Sequence, residues 1–197
     1  MMNTLRRILA GPDRRGLTLI ELMVSLSMFG IVVGVVFGFM VNARDSYSST
    51  REKVQYQQGM RAVISLMTRE LRSTGCDPTS AGFEAFGIAT TTALQCRADL
   101  NGDGDVTDVG PDETVTYAYN AGTGELVRAD GFAAMTILRG LNDVRFTYYD
   151  QAGAVLAAVP LSALDRAAVR FVEVTLDGLS DRGEPVNYTA RIALRNS

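Results

Sequence analysis

Apolar residues are distributed along this chain in three successive regimes. Leu22–Val41 is a run of 20 residues without a charge. That length suits a helix crossing a bilayer. From Met60 the pattern changes: Met60, Val63, Ile64, Met67 and Leu71 recur at i, i+3, i+4, i+7 and i+11, the single apolar face of an amphipathic helix. The polar stretch 42–49 between them has no Pro or Gly to break a helix, and Gly75 and Pro78 supply a stop. One helix from Leu17 to about Arg72, some 80 Å long at about 1.5 Å per residue, is therefore expected. After Pro78 the period becomes two. Val144, Phe146 and Tyr148 alternate with Arg145, Thr147 and Tyr149, and Tyr188, Ala190, Ile192 and Leu194 alternate with polar neighbours. Further strands are expected over Thr114–Tyr119, Glu125–Arg128 and Val169–Leu176. The turns between strands are expected at 120–124, 151–153 and 181–184. The fold class is α+β: a long N-terminal helix whose second half covers the apolar face of a C-terminal antiparallel β-sheet head.

This pattern divides the chain into a leader at 1–16, a membrane half-helix at 17–41, an amphipathic half-helix at 42–75 and a β-rich head at 76–197. The three small residues Gly30, Gly34 and Gly38 recur every four positions and make one narrow helix stripe, which lets another backbone approach closely. Glu21 is the one charge near the start of the apolar segment. A carboxylate in hydrocarbon costs about 2.5–3.5 kcal/mol on insertion scales, so a partner for it is expected.

Composition narrows the chemistry. The 197 residues carry a net charge of −3 and include no histidine. Histidine-based triads and zinc sites with histidine ligands are excluded. No phosphate loop ending in Gly-Lys-Ser/Thr occurs, and no pair of carboxylates stands out as acid and base, so an enzyme is not expected. The leader carries +3 (Arg6, Arg7, Arg14 and Arg15 against Asp13), and its removal takes the net charge from −3 to −6. An acidic chain with scattered arginines is not a nucleic-acid binder by charge. Positive residues stay cytoplasmic, which places the head outside a bacterial inner membrane. In that compartment Cys76 and Cys96 are expected to form a disulfide, closing a loop of about 20 residues worth roughly 3 kcal/mol.

Residues 99–108, Asp-Leu-Asn-Gly-Asp-Gly-Asp-Val-Thr-Asp, place oxygen ligands at alternate positions with glycines for a tight turn. Asp99, Asn101, Asp103 and Gly104 follow the first half of an EF-hand loop, Asp105 offers its carbonyl, and Asp108 completes the candidate set for a structural calcium ion. Gly110 stands where the bidentate Glu belongs, leaving Asp108, Asp112 or Glu113 to replace it.

Arg15-Gly16-Leu17-Thr18-Leu19-Ile20-Glu21-Leu22-Met23-Val24 resembles the processing signal of type IV pilins and type II secretion pseudopilins. The resemblance implies cleavage after Gly16 by a prepilin peptidase, N-methylation of Leu17, and the pilin lollipop of long helix and β-rich head. It also gives Glu21 its partner, a charged N-terminal amine in the apolar core of a filament. The length of the head, its two cysteines, Tyr119–Arg128 and the Leu141–Tyr149 strand look like the PilW group of minor pilins, with the J-type pseudopilins as neighbours. The expectation is a minor pilin that primes or caps a type IV pilus, held in the inner membrane with its head in the periplasm and then in the pilus. Its partners would be other pilin subunits. The alternatives are a J-type pseudopilin and a calcium-dependent adhesion or DNA-uptake module at the pilus tip.

Overall fold

The computed structural model describes residues 16–108, 110, 112–180 and 183–196. The leader up to Arg15 and the Asp181-Arg182 part of the last expected turn lie outside the described residues. The chain divides into two compact units, 1–48 and 49–197.

Helix α1 spans Leu19–Ser73, 55 residues without a break. It is long and apolar enough near its start to cross a membrane, and its large side chains from Leu19 to Val41 are all exposed. Its second half buries Met60, Val63, Ile64, Met67 and Leu71, the five residues of the apolar stripe. The stop also falls where the sequence marks it. Gly75 takes φ +77°, donates its N–H to Arg97 O at 2.8 Å, and a Cβ there would sit 2.8 Å from Asn196 O. Only glycine fits that corner.

The rest of the second unit is two antiparallel meanders. Strands β1 (Phe86–Ala89), β2 (Ala93–Arg97), β3 (Thr114–Asn120), β4 (Glu125–Ala129) and β5 (Ala134–Leu138) form one sheet in chain order. Strands β6 (Leu141–Tyr149), β7 (Phe171–Leu179) and β8 (Pro185–Ala193) form the other. Between β6 and β7 lies a short helix, α2 (Ala163–Ala168), capped by Ser162. The strict alternation of β7 and β6 is visible in burial: Val172, Val174 and Leu176 are buried with Val144, Phe146 and Tyr148. These side chains share one core with Leu94, Tyr117 and Leu126 of the first sheet and with the buried face of α1. Neither sheet nor helix face is covered without the others.

Three strands, β1, β2 and β5, and helix α2 were not anticipated. They are four to six residues long, too short to show a period.

Candidate functional site

The first helical turn is organised by Thr18 and Glu21. Thr18 O accepts from Leu22 N at 3.2 Å, which makes it the cap residue. Its hydroxyl oxygen accepts from Glu21 N at 3.3 Å, while Glu21 Oε2 accepts from Thr18 N and from Thr18 Oγ1, both at 2.9 Å. This is a reciprocal capping box, worth about 1 kcal/mol. The sequence reading assigns Glu21 only to an N-terminal amine, a neighbour's or its own, and misses the capping contact, although Thr-x-x-Glu is its signature. The box aims the carboxylate back along the chain, toward the backbone N–H next to Leu17. Nothing lies within 4 Å of the Cβ positions of Gly16, Gly30, Gly34 or Gly38.

The acidic loop is a ladder of side chains capping backbone amides. Asn101 Oδ1 accepts from Asp103 N at 2.9 Å, Asp103 Oδ1 from Asp105 N at 3.0 Å, and Asp105 Oδ1 from Thr107 N at 2.8 Å. Each bond reaches two residues on, the habit that makes Asx residues turn formers. Gly102 and Gly104 take φ +83° and +93° to allow the curl. Asp99 is buried and accepts from Gly102 N at 2.5 Å and Gly104 N at 3.0 Å. Glu113 is also buried and holds the loop from the other side, accepting from Leu100 N at 2.9 Å and Asn101 N at 3.3 Å.

Of the sequence-designated residues, Asp103, Asp105 and Glu113 converge, with one carboxylate oxygen of each within 4.8 Å of the others, so Asp105 brings its side chain rather than the expected carbonyl. Asp99 instead turns to the backbone. Asn101 Nδ2 donates to Asp103 at 3.0 Å and Asp108 at 2.6 Å. Backbone donors, that of Asp105 first, and Asn101 hold the Asp103 carboxyl below its ordinary range. Desolvation, then the charges of Asp103, Asp105 and Glu113, push Asp108 the other way.

Asp112 instead joins a partly buried ion network. Arg128 of β4 reaches Asp112 Oδ2 at 3.0 Å, Asp130 Oδ2 at 2.7 Å and Glu70 Oε1 of α1 at 3.0 Å. Tyr117 of β3 donates to the other Glu70 oxygen. Burial opposes the Arg128 charge, but the bonds to Asp112, Glu70 and Asp130 hold it on. Burial, then the bond to Glu70, pushes the Tyr117 hydroxyl well above its ordinary value. The network joins the end of the helix, two strands and the acidic loop.

The expected Cys76–Cys96 disulfide is corrected: both cysteines are free. Cys96 points inward from β2 beside Leu94, bonded to the Thr74 hydroxyl, and burial pushes its thiol up to about 12. Cys76 lies past the helix end and opens on clefts with Arg72, Asp77 and Asn196, which Cys96 does not line. The chain crosses there by backbone bonds, Gly75 N to Arg97 O and Asp99 N to Cys76 O, both 2.8 Å, rather than by sulfur.

Residues 12–37 match the profile of the prokaryotic N-terminal methylation motif. The N-terminal segment is type IV pilin-like. Such a signal implies processing by a prepilin peptidase and assembly with other pilin subunits, and with the apolar stretch of α1 it fits membrane anchoring. The match includes the capping box, the Gly16 junction and two of the three stripe glycines, Gly30 and Gly34. No curated protein matches this chain.

Proposed function

We propose that the protein is a minor pilin of the PilW type, cleaved after Gly16, methylated at Leu17 and used to prime or cap a type IV pilus. The observation that carries this reading is the methylation motif at residues 12–37, set on a helix whose only early charge is Glu21. The segment of α1 up to Val41 is first held in lipid and then packs among like helices through the Gly30–Gly34–Gly38 stripe. Glu21 recruits the subunit by pairing with the N-terminal amine freed at Leu17, its own or a neighbour's. The two charges are less costly together than apart in an apolar core. The head acts by contact with other subunits and not by catalysis. Glu21→Ala tests this: the variant should be cleaved but absent from sheared filaments, and normal incorporation would refute the role.

A J-type pseudopilin shares every one of these features. Expression beside either machinery separates the two: rescue of a secretion mutant in place of a pilus mutant would favour the pseudopilin. A calcium-dependent adhesion or DNA-uptake module is favoured only by the acidic loop.

We also propose a structural calcium ion in that loop. The donor set is all oxygen, as hard cations require, and it consists of Asp103, Asp105 and Glu113, with Asp108 adjacent. The ion would draw together carboxylates that otherwise repel. Calorimetry on the full chain in detergent should show calcium binding that Glu113→Gln abolishes; absence of binding to the unmodified protein would refute it.

A further inference from the structure

Most described arginines of the second unit have no carboxylate partner, and three of these are gathered in one place. Arg128, Arg139, Arg145 and Arg166 are ion-paired. Arg69, Arg72 and Arg195 pair with no carboxylate among the described residues, yet they converge on one open cleft of about 570 Å³ with Ser65, Thr68 and Asn196. Ser65, Thr68, Arg69 and Arg72 are spaced i, i+3, i+4 and i+7, one stripe of α1 alongside its buried face. Arg195 and Asn196 follow β8 and close the other wall, and Asn196 Nδ2 reaches Arg72 O at 3.5 Å. Three unneutralised guanidinium groups around one cleft favour an anion that fits their forked donors, and a carboxylate does.

The same unit displays a matching surface. Asp103, Asp105 and Asp108 are exposed or half-exposed and pair with no Lys or Arg among the described residues. The two surfaces are neighbours, because Arg69 also lines a smaller cleft whose wall includes Asp112 and Glu113 at the end of the acidic loop. Adjacent patches of opposite sign are self-complementary under a two-fold rotation: each copy offers its loop to the other's cleft. We propose that the Arg69–Arg72–Arg195 cleft docks the Asp103–Asp108 loop of a second copy of this chain. The contact is electrostatic and salt-sensitive. It depends on neither the methylation motif nor a bound cation, although a cation in the loop would weaken it by neutralising part of its charge.

The test uses the full chain in detergent at low salt with a chelator, and reads self-association by sedimentation. R69E/R72E/R195E and D103K/D105K/D108K should each associate about tenfold more weakly than the unmodified protein or less still. An equimolar mixture of the two variants should regain association, because each then meets an opposite charge. R69Q/R72Q/R195Q, which removes charge at exposed positions, should weaken association to a lesser degree with an unchanged melting temperature. A monomeric unmodified protein, single variants that associate as it does, or a mixture that stays dissociated would each overturn the proposal.

Discussion

Glu21 has a local role in the structure and a second one in the proposed function. It closes the first turn of α1 through Thr18, and it stands where a new amine appears if the chain is cut after Gly16. Thr18→Ala should leave the carboxylate in place but remove the hydroxyl that accepts from Glu21 N. About 1 kcal/mol of helix-end stability should be lost, read as faster amide exchange over residues 19–22. Arg128 is a different case, since its three carboxylates are partly buried with it. Arg128→Ala leaves Glu70 with the Tyr117 hydroxyl alone and, for a group only partly buried, should cost about 1–3 kcal/mol in denaturant unfolding of the full chain. Acid should act on an overlapping set of side chains. Backbone donors of Gly82 and Ala81 hold Asp77 low, those of Ala133 and Phe132 with Arg128 hold Asp130 low, and Asp105 N with Asn101 holds Asp103 low. Their folded values lie below the unfolded ones. Their stabilisation is therefore complete above about pH 4 and is lost as pH falls through the folded values. Melting temperature should drop across that window. Asp108 has the opposite sign: its raised value means that its charge opposes the fold near neutral pH, and protonation relieves it.

At the scale of elements, the second half of α1 is the part of the head that the sequence showed most clearly. Its five stripe residues are the five it buries. Met67 is fully buried among the two sheets, and Met67→Ala should cost about 2–5 kcal/mol, measured by the same unfolding. Strands β6 and β8 were legible for the same reason, because one face is wet and the other dry. The acidic loop was legible as chemistry but not as geometry. Alternating oxygens announce a curled turn and leave Asp108, Asp112 or Glu113 to close it, whereas the choice of Glu113 and the inward turn of Asp99 depend on the chain before β3 returning past the loop, a tertiary fact with no local period. The cysteine expectation failed for a related reason. Compartment and spacing argue for a bridge, but the inward face of β2 takes Cys96 into the core and leaves Cys76 outside it. The Glu70–Arg128 network joins residues 58 positions apart, and nothing short-range in the sequence marks it.

At the scale of the whole molecule, a head with one shared core follows an apolar helix segment that packs against no large side chain among the described residues. All its large side chains from Leu19 to Val41 are exposed, so lipid or other helices must cover them. A methylation motif of this kind implies processing by a prepilin peptidase, and in the proposed function the segment is kept and becomes the mature N-terminus. The proposed cleft-to-loop docking, the calcium ion and the amine pairing of Glu21 are all contacts of an assembly part. None of them requires chemistry from the head. The most direct measurement is the intact mass of the protein purified from membranes of a host with a prepilin peptidase. The account predicts a chain that begins at Leu17 and carries one added methyl group, with the apolar segment retained. A chain that still holds residues 1–16, or one cut beyond Val41, would contradict it.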